Sequence, residues 1–410
     1  MLNSKSIILF ALTLYCFVSA LWANETTPNK IEISFESFND ANDVQSNTGV
    51  FSWTHQWSEL WSSTYNQEVD GVTGASRNLA GYARQTANAI TGPTQTNPSF
   101  IDGITGATTY EIRVGQGLQL TRSNHGQIIS AGVSSSFEND YRSFSPNINW
   151  SQDFFDRNFT IGIAQSLFFD RFTPVQPFYQ SNPGGDKNIS NTVISIAQSL
   201  TPLTLFGANI GYTNSSGYLG HPYNPVTVFG SNLIPENLPN IKSSTAIAAN
   251  LIQGFLIAEL LGNIRLDYRY YTDSWGLNSN TYDLSVTQKF TDAFSIRLRS
   301  RFYQQTGVSF LAENNRARDS IPTNIKHSYL ETDEFRTADI RFYPFFSILN
   351  GIKFSGAFPE SWIGILPQEW DIKYDYMWRN TKGDRTLYQL YSENTFYTQH
   401  DVLISLRYLF

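Results

Sequence analysis

Apolar and polar residues alternate over long stretches of this chain, a pattern that few folds can use. One stretch, residues 264–271, reads IRLDYRYY, and similar stretches cover residues 110–120, 294–302 and 370–379. Because successive side chains of a β-strand point to opposite faces, each stretch predicts a strand with one apolar and one polar face. Such strands occur both in soluble β-sandwiches and in membrane barrels.

Strand length and connection length favour the membrane barrel. The predicted strands have about 10 to 16 residues, whereas strands of soluble proteins mostly have about 5 or 6. Long connections alternate with short ones, as in barrels with long external loops and short periplasmic turns. The long connections lie at about residues 73–107, 174–188, 216–241, 306–332 and 381–399.

Aromatic residues give a third indication, because they concentrate at the ends of the apolar faces. Membrane barrels carry such aromatic girdles at both membrane interfaces. The residues are Trp61, Tyr65, Phe159, Phe169, Tyr270, Trp370, Trp378, Tyr408 and Phe410.

After residue 23, no segment reaches the roughly 18 apolar residues of a membrane-spanning helix. In a bilayer, a closed barrel is then the structure that satisfies every backbone polar group. We therefore predict an all-β chain that forms a transmembrane antiparallel up-and-down β-barrel. About 16 strands are expected, with 14 or 18 as alternatives because residues 343–380 are irregular. Their predicted starts are near Lys30, Gly49, Leu60, Thr108, Gln127, Tyr141, Phe159, Ser190, Leu203, Ser243, Gly262, Leu277, Phe294, Arg336, Glu369 and His400.

The first 23 residues have the pattern of a signal peptide, which predicts export to the outer membrane of a Gram-negative-type envelope. Lys5 provides a positive charge, residues 7–18 form an apolar core, and small residues precede a cleavage site after Ala23. An earlier cleavage site and an uncleaved membrane anchor are the alternatives. The only cysteine, Cys16, lies in this segment, so the predicted barrel domain, residues 24–410, has no disulfide.

The end of the chain predicts a partner. The last predicted strand has an alternating apolar row that includes the final residue, Phe410. A last strand that ends in Phe is similar to the signal by which outer-membrane barrels are handed to the barrel-assembly machinery. We therefore expect that machinery and the lipid bilayer as partners. Nucleic acid is not expected, because 28 Lys and Arg against 35 Asp and Glu give a net charge of −7.

Several segments go beyond a general barrel pattern. They are residues 70–76 (DGVTGAS), 138–143 (ENDYRS), 217–223 (GYLGHPY) and 268–276 (YRYYTDSWG). As an ordered set, they resemble the bacterial domain-of-unknown-function family numbered 3570, a family of predicted outer-membrane barrels of about this size. The resemblance spans about residues 30–410. It implies the barrel fold and no activity.

If the apolar faces meet lipid, the polar faces line the lumen. One predicted wall is basic and consists of Arg265, Arg269, Arg297, Arg299 and Arg301. A strand starting near Arg336 adds Asp339 and Arg341 to the lumen. The opposite predicted wall is acidic and consists of Glu68, Asp70, Glu111 and Glu138. This separation fits either a transverse field across an aqueous constriction or a salt-bridge network that braces the barrel.

Polar and aromatic residues also mark two short turns at the external end. We expect them to clamp the ends of strands, with a binding rim as the alternative. They are Asp140, Arg142, Asp273 and Trp275.

The motifs of catalysis and cofactor binding are absent from the sequence. None of the five histidines lies in a nucleophile motif, and neither an HExxH nor a CxxCH motif is present. We therefore expect no enzyme, no metal site and no cofactor. The predicted function is a porin-like channel or transport protein for small polar solutes. The alternative is a non-conducting barrel whose external loops make it a receptor, an adhesin or a scaffold for an electron-transfer partner.

Overall fold

The computed structural model describes most of the predicted barrel. The described residues are 29–40, 45–73, 110–174, 184–220, 225–227, 233–311, 329, 333–337, 339–358, 368–381 and 396–409. The predicted leader, residues 1–23, and the terminal Phe410 lie outside them, as does nearly all of the first long connection. Among the described residues, no helix is long and apolar enough to cross a membrane.

Eighteen strands follow one another along the described chain, and sixteen of them build the barrel. Two short strands, β10 and β11, form a separate hairpin. The strands are β1 Lys30–Asp40, β2 Gln45–Gln56, β3 Trp61–Thr73, β4 Tyr110–Asn124, β5 Gln127–Phe137, β6 Tyr141–Phe154, β7 Phe159–Phe172, β8 Gly185–Thr201, β9 Thr204–Gly217, β10 Pro225–Thr227, β11 Leu233–Pro235, β12 Ile241–Ile257, β13 Leu260–Asp273, β14 Asn278–Thr291, β15 Phe294–Gln305, β16 Phe345–Ala357, β17 Glu369–Thr381 and β18 Phe396–Leu409.

The sixteen barrel strands form one closed ring. Each pairs in antiparallel fashion with its neighbours in chain order, with β9 paired directly with β12. The ring closes between β1 and β18, from Lys30 opposite Leu409 to Asp40 opposite Gln399. Closure leaves no exposed strand edge. The predicted fold class and the number of 16 strands are confirmed, and the alternatives of 14 and 18 are excluded.

The two ends of the barrel differ in their connections. At one end, which we call the turn end, most strands are joined by tight turns such as Ala258-Glu259, whose φ angles are 49° and 67°. Positive φ at both central residues is the geometry that suits the twist of a two-residue hairpin. The opposite end, which we call the loop end, carries the long connections. Because Lys30 pairs with Leu409, the first and last strands begin and finish at the turn end.

The apolar strand faces form the outer surface of the barrel. Phe35, Leu118 and Ile148 each keep about half of their surface exposed. Along β7, Phe159 and Phe169 are ten residues apart, which corresponds to about 33 Å of strand. At a strand tilt of about 40°, this length covers about 25 Å across the membrane, the height of an outer-membrane apolar band.

One predicted strand start is wrong. The fourteenth barrel strand begins at Phe345, not near Arg336, because Pro344 cannot donate to a strand ladder. Arg336 instead forms an isolated bridge with Asn237 at the loop end. Residues 339, 341 and 343 continue the polar–apolar alternation of β16 toward the N-terminus, so the sequence pattern alone predicts a strand there.

The sequence predicted that Asp339 and Arg341 face the lumen from a strand, and this prediction is wrong. Arg341 lies in a short 3-10 turn, Ile340–Phe342, and its Nε donates to Asp339 Oδ2 at 2.8 Å. The hydrogen bonds to Asp339 raise the pKa of the Arg341 guanidinium.

Connections at the loop end pack into a small hydrophobic core of their own, which we call the loop cap. Its buried residues come from the connections that follow β13 and β15: Trp275, Leu277, Val308, Leu311 and Tyr343. Trp275 Nε1 donates to the carbonyl oxygen of Ile241 at 2.9 Å. The cap thereby joins the ends of strands that are not neighbours in the ring.

Trp275→Ala is expected to open the loop cap without opening the barrel. Loss of a buried Trp typically costs about 3–5 kcal/mol, and Trp275 is only 4% exposed. Limited proteolysis of the folded protein should cleave faster within residues 306–344, while the heat-modifiable mobility of the barrel on a gel stays unchanged. Trp57→Ala, at an exposed tryptophan of the turn end, is the control and should leave cleavage unaltered. Equal cleavage of wild type and Trp275→Ala would contradict this role.

Candidate functional site: the lumen wall

Part of the lumen wall carries mostly small and uncharged side chains. This part comprises β5–β9 and β12, and we call it the small-residue sector. Along its strands, the inward residues alternate with apolar residues such as Val133, Ile148 and Leu167, which are exposed on the outer surface. At mid-height the inward residues are Ser134, Asn147, Ser166, Ser195, Gly211 and Asn250.

Glycines allow two asparagine side chains of the small-residue sector to lie flat against the neighbouring strand. Asn250 is paired with Gly207, and Asn147 with Gly132. A Cβ atom at Gly207 would lie 2.6 Å from Asn250 Oδ1, and one at Gly132 would lie 3.2 Å from Asn147 Nδ2. Each asparagine therefore occupies the space of a missing side chain on the next strand. This packing keeps the side chains along the wall and away from the centre of the lumen.

The basic wall lies on three neighbouring strands, β13–β15. On β13, Arg265 Nε and Nη2 each donate to the carboxylate of Asp267 at 2.7 Å. On the next two strands, Asp283 accepts from Arg299 Nη2 at 2.6 Å and from Arg301 Nε at 2.8 Å. Three of the five predicted arginines are therefore paired with aspartates of the same wall.

The other two arginines of the basic wall, Arg269 and Arg297, have no such partner. Across the described ranges, no carboxylate lies within ion-pair distance of either one. Arg269 is exposed, and its guanidinium carbon lies 5.7 Å from the centre of the Tyr271 ring. Of the five arginines of the basic wall, these two are the ones that a solute can meet without first displacing a carboxylate.

The acidic wall is centred on β3 and β4. Arg113 Nη2 donates to both Glu68 and Asp70, which lie two residues apart on β3. Asp70 stands directly opposite Arg113 in the strand register and is buried. One guanidinium thus serves two carboxylates, so the group keeps an excess negative charge.

The structure describes fewer contacts for the other two predicted members of the acidic wall, Glu111 and Glu138. Glu111 belongs to β4, but its side chain lies outside the described residues. Glu138 follows the last residue of β5, and its backbone N–H donates to the carbonyl oxygen of Tyr141 at 2.8 Å. Both residues are near the loop end, above the Glu68–Asp70 pair.

Lys373 on β17 connects the two charged walls. Its Nζ lies 2.8 Å from Asp401, 3.4 Å from Asp375 and 3.8 Å from Glu36. Asp375 in turn lies 4.0 Å from Arg299 of the basic wall. The ion pairs therefore run along the lumen face from β15 to β1. This mixed sector separates the basic and acidic walls on one side, as the small-residue sector does on the other.

A single glycine allows Asp375 and Arg299 to meet across β16. Gly351 stands between them in the register, and a Cβ atom there would collide with Asp375 Oδ1. Gly351→Ala is therefore expected to separate the two charges and to cost about 1–2 kcal/mol of unfolding free energy, measured by urea titration in lipid vesicles. Gly49→Ala is the matched control, because nothing lies within 4 Å of a Cβ atom at Gly49. Equal stability of the two variants would argue against this packing role.

The basic and acidic walls face each other across the lumen. β13 and β3 are eight strands apart in either direction around the ring. Arg269 is nine residues from Leu260 at the turn end of β13, and Asp70 is nine residues from Trp61 at the turn end of β3. Since the strands share a common tilt, Arg269 and Asp70 lie at about the same height on opposite sides.

The predicted clamp residues lie in two turns of the loop end. Asp273 Oδ1 accepts from the backbone N–H groups of Trp275 and Leu277, both at 3.0 Å, and Asp273 Oδ2 lies 3.0 Å from Lys242 Nζ. The Lys242 ammonium also lies 4.6 Å from the centre of the Trp275 ring. This turn is thus tied to β12 by charge and ring contacts.

The second turn precedes β6. Asp140 is buried, and its backbone carbonyl accepts from the N–H of Thr173 at 2.7 Å. Arg142 is exposed and stands opposite Phe137 and Arg171 in the register. The structure therefore does not bring Arg142 into the lumen.

The described histidines hydrogen-bond to neutral groups. His55 Nδ1 lies 2.7 Å from Asn29 Oδ1, and His400 Nδ1 lies 2.7 Å from Tyr374 Oη. In the part of the chain that the structure describes, no group of three or more His, Cys, Asp or Glu is arranged to hold a metal ion.

The sequence analysis gave no role to Lys373, Asp375 and Arg113, which lie in the alternating stretches 110–120 and 370–379. Their positions in the alternating pattern carried the signal that they face the lumen. Their roles depend on strand register, because Lys373 meets residues of β18 and β1 only after the ring has closed. Alternation reports the face of a residue but not its neighbours.

A closed barrel with an apolar outer surface and a polar lumen defines an outer-membrane-type β-barrel. The chain belongs to the family described as "Protein of unknown function (DUF3570)", whose model matches residues 11–390. The resemblance noted in the sequence is thereby confirmed. A comparison with curated protein sequences gave no match.

Solved barrels resemble the fold only distantly. A bacterial polysaccharide outer membrane secretin has 7% sequence identity and a TM-score of 0.47, covering 93% of this chain and 98% of that chain. OpdK of Pseudomonas aeruginosa, solved with vanillate, has 8% identity and a TM-score of 0.41, covering 93% and 98%. CdiB from Acinetobacter baumannii has 8% identity and a TM-score of 0.48, covering 94% and 61%. At TM-scores below 0.5, such likenesses say nothing about the function of this chain.

Proposed function

We propose that this protein is an outer-membrane channel that passes small polar solutes. The small-residue sector is the observation that carries the proposal, because its inward side chains are short and uncharged and its asparagines lie along the wall. Ion pairs hold most of the long charged side chains of the other sectors to their strands, with Arg269 and Arg297 as exceptions. Sixteen strands can enclose an aqueous channel.

The proposed location follows from the outer surface and the two ends of the barrel. The apolar band of about 25 Å fits the hydrocarbon layer of an outer membrane. In this orientation the turn end faces the periplasm and the loop cap faces outward. The leader at residues 1–23 directs export, and the barrel-assembly machinery recognises the strand that ends at Phe410. Fractionation of cells that produce the protein tests this location.

Single-channel recording in a planar bilayer tests the channel. The purified protein, folded into the bilayer, is expected to give discrete, long-lived conductance steps. Heat-modifiable gel mobility and protease resistance must first establish that the inserted protein is folded. A folded barrel that stays electrically silent would falsify the channel proposal.

The loop cap favours a second candidate function. A packed hydrophobic core that joins several connections gives the loop end a defined surface, which suits a receptor, an adhesin or a docking site for an electron-transfer partner. A silent but folded barrel that loses partner binding on Trp275→Ala is the result that favours this candidate over the channel.

A further inference from the structure

The two charged walls are unbalanced in opposite senses. On the basic wall, one carboxylate, Asp283, is shared by two arginines. On the acidic wall, one guanidinium, Arg113, is shared by two carboxylates. Each wall therefore keeps a net charge of its own sign after its ion pairs are formed.

Further residues increase this imbalance. Arg269 and Arg297 add two cations to the basic wall, and no described carboxylate pairs with either. On the acidic side, Glu36 of β1 shares its cation, Lys373 of the mixed sector, with Asp375 and Asp401. The excess charges thus occur on inward faces on both sides of the lumen.

The small-residue sector joins the two charged walls along one side of the lumen. It extends from β5 to β12, between the acidic wall at β4 and the basic wall at β13. Its mid-height residues are uncharged, so they neither pair with a passing solute nor screen the two walls from each other. A solute that moves along this sector has positive charge on one side and negative charge on the other.

Such a field treats different solutes differently. A simple anion is attracted by one wall and repelled by the other, so the two effects largely cancel. A molecule with separated positive and negative groups gains from both walls when it is aligned with the field. We expect this alignment to raise the permeability about fivefold, which corresponds to about 1 kcal/mol.

We propose that the channel prefers small zwitterions, the class that includes amino acids and short peptides, over neutral solutes of the same size. The solute travels with its carboxylate turned toward Arg269 and its ammonium turned toward Glu68 and Asp70. This inference rests on the proposed channel function and adds its solute class.

Swelling of liposomes that contain the folded protein tests the preference. The probes are glycylglycine as the zwitterion and a neutral sugar of similar size. The quantity measured is the ratio of the permeation rate of glycylglycine to that of the sugar. In wild type this ratio should be about five times the ratio expected for a channel that selects by size alone. The variants Arg269→Gln and Glu68→Gln should each lower that ratio severalfold. Arg142→Gln, which removes an arginine outside the lumen, is the matched control and should keep the wild-type ratio.

Conductance measured on the same preparations separates the possible failures. If the folded wild type conducts salt but admits both probes equally, the zwitterion proposal is overturned and the channel stands. If Arg142→Gln lowers the ratio as much as Arg269→Gln, the assignment to these lumen residues is overturned. A folded wild type without conductance overturns both proposals. Arg269→Gln is expected to fold normally because it breaks no ion pair.

Discussion

Replacing Arg299 and Arg301 together with alanine is expected to make the channel markedly more cation-selective. The double variant removes two positive charges and leaves Asp283, which both arginines contact, with no partner among the described residues. In water a unit charge about 4 Å from a permeating ion contributes about 1 kcal/mol. The cation-to-anion permeability ratio should therefore rise roughly fivefold. Reversal potentials in a salt gradient across a planar bilayer measure this ratio.

The triple variant with Asp283→Asn provides the control for this result. It also removes the carboxylate of Asp283, which has lost both partners in the double variant, so its selectivity should lie between those of the wild type and the double variant. High salt should reduce all differences because it screens the wall charges. Reversal potentials that are the same in all three proteins would show that these residues do not line the path of the ions.

Lys373→Met is expected to destabilise the barrel more than any other single charge removal on the wall. It leaves Asp401, Asp375 and Glu36 close together without their shared cation. Breaking a buried ion pair typically costs about 3–5 kcal/mol. Because the Lys373 side chain is 18% exposed to the lumen, we expect a smaller loss of about 2–3 kcal/mol. Urea-induced unfolding in lipid vesicles measures the change.

Two further variants decide whether the loss is electrostatic. Adding Asp401→Asn to Lys373→Met should restore much of the stability, because it removes one of the opposed carboxylates. Lys289→Met is the matched control, since Lys289 is exposed and no described carboxylate pairs with it; it should change stability by less than about 0.5 kcal/mol. If Lys373→Met is as stable as Lys289→Met, the proposed role of Lys373 is wrong.

The fold was predictable because barrel strands repeat one simple pattern. Period-two alternation identified each strand and its two faces, and most predicted starts lie within a few residues of the observed ones. The exception near Arg336 has a physical cause. Residues before Pro344 continue the alternation, and periodicity does not report where hydrogen bonding to a neighbouring strand stops.

The lumen site was predictable in its residue types but not in its pairing. Alternation placed Arg299 and Arg301 on the inward face, yet it did not indicate that one aspartate, Asp283, holds both arginines. That arrangement depends on the register, in which Asp283 lies opposite Arg301 and two residues from the partner of Arg299. A one-residue change of register reverses the facing of a whole strand. Pairing therefore becomes visible only when neighbouring strands are aligned.

The seam between β1 and β18 has a consequence for how the barrel matures. Ser34 and Ser405 are 371 positions apart and share a hydrogen bond of 3.0 Å. Contacts of such long sequence separation form late in folding. Until then, Glu32 lacks Arg407, and Glu36 lacks Lys373. The free β1 edge of an open intermediate thus carries Glu36 without its cation and Glu32 with Lys30 alone, which discourages the β1 edges of two unfinished sheets from joining.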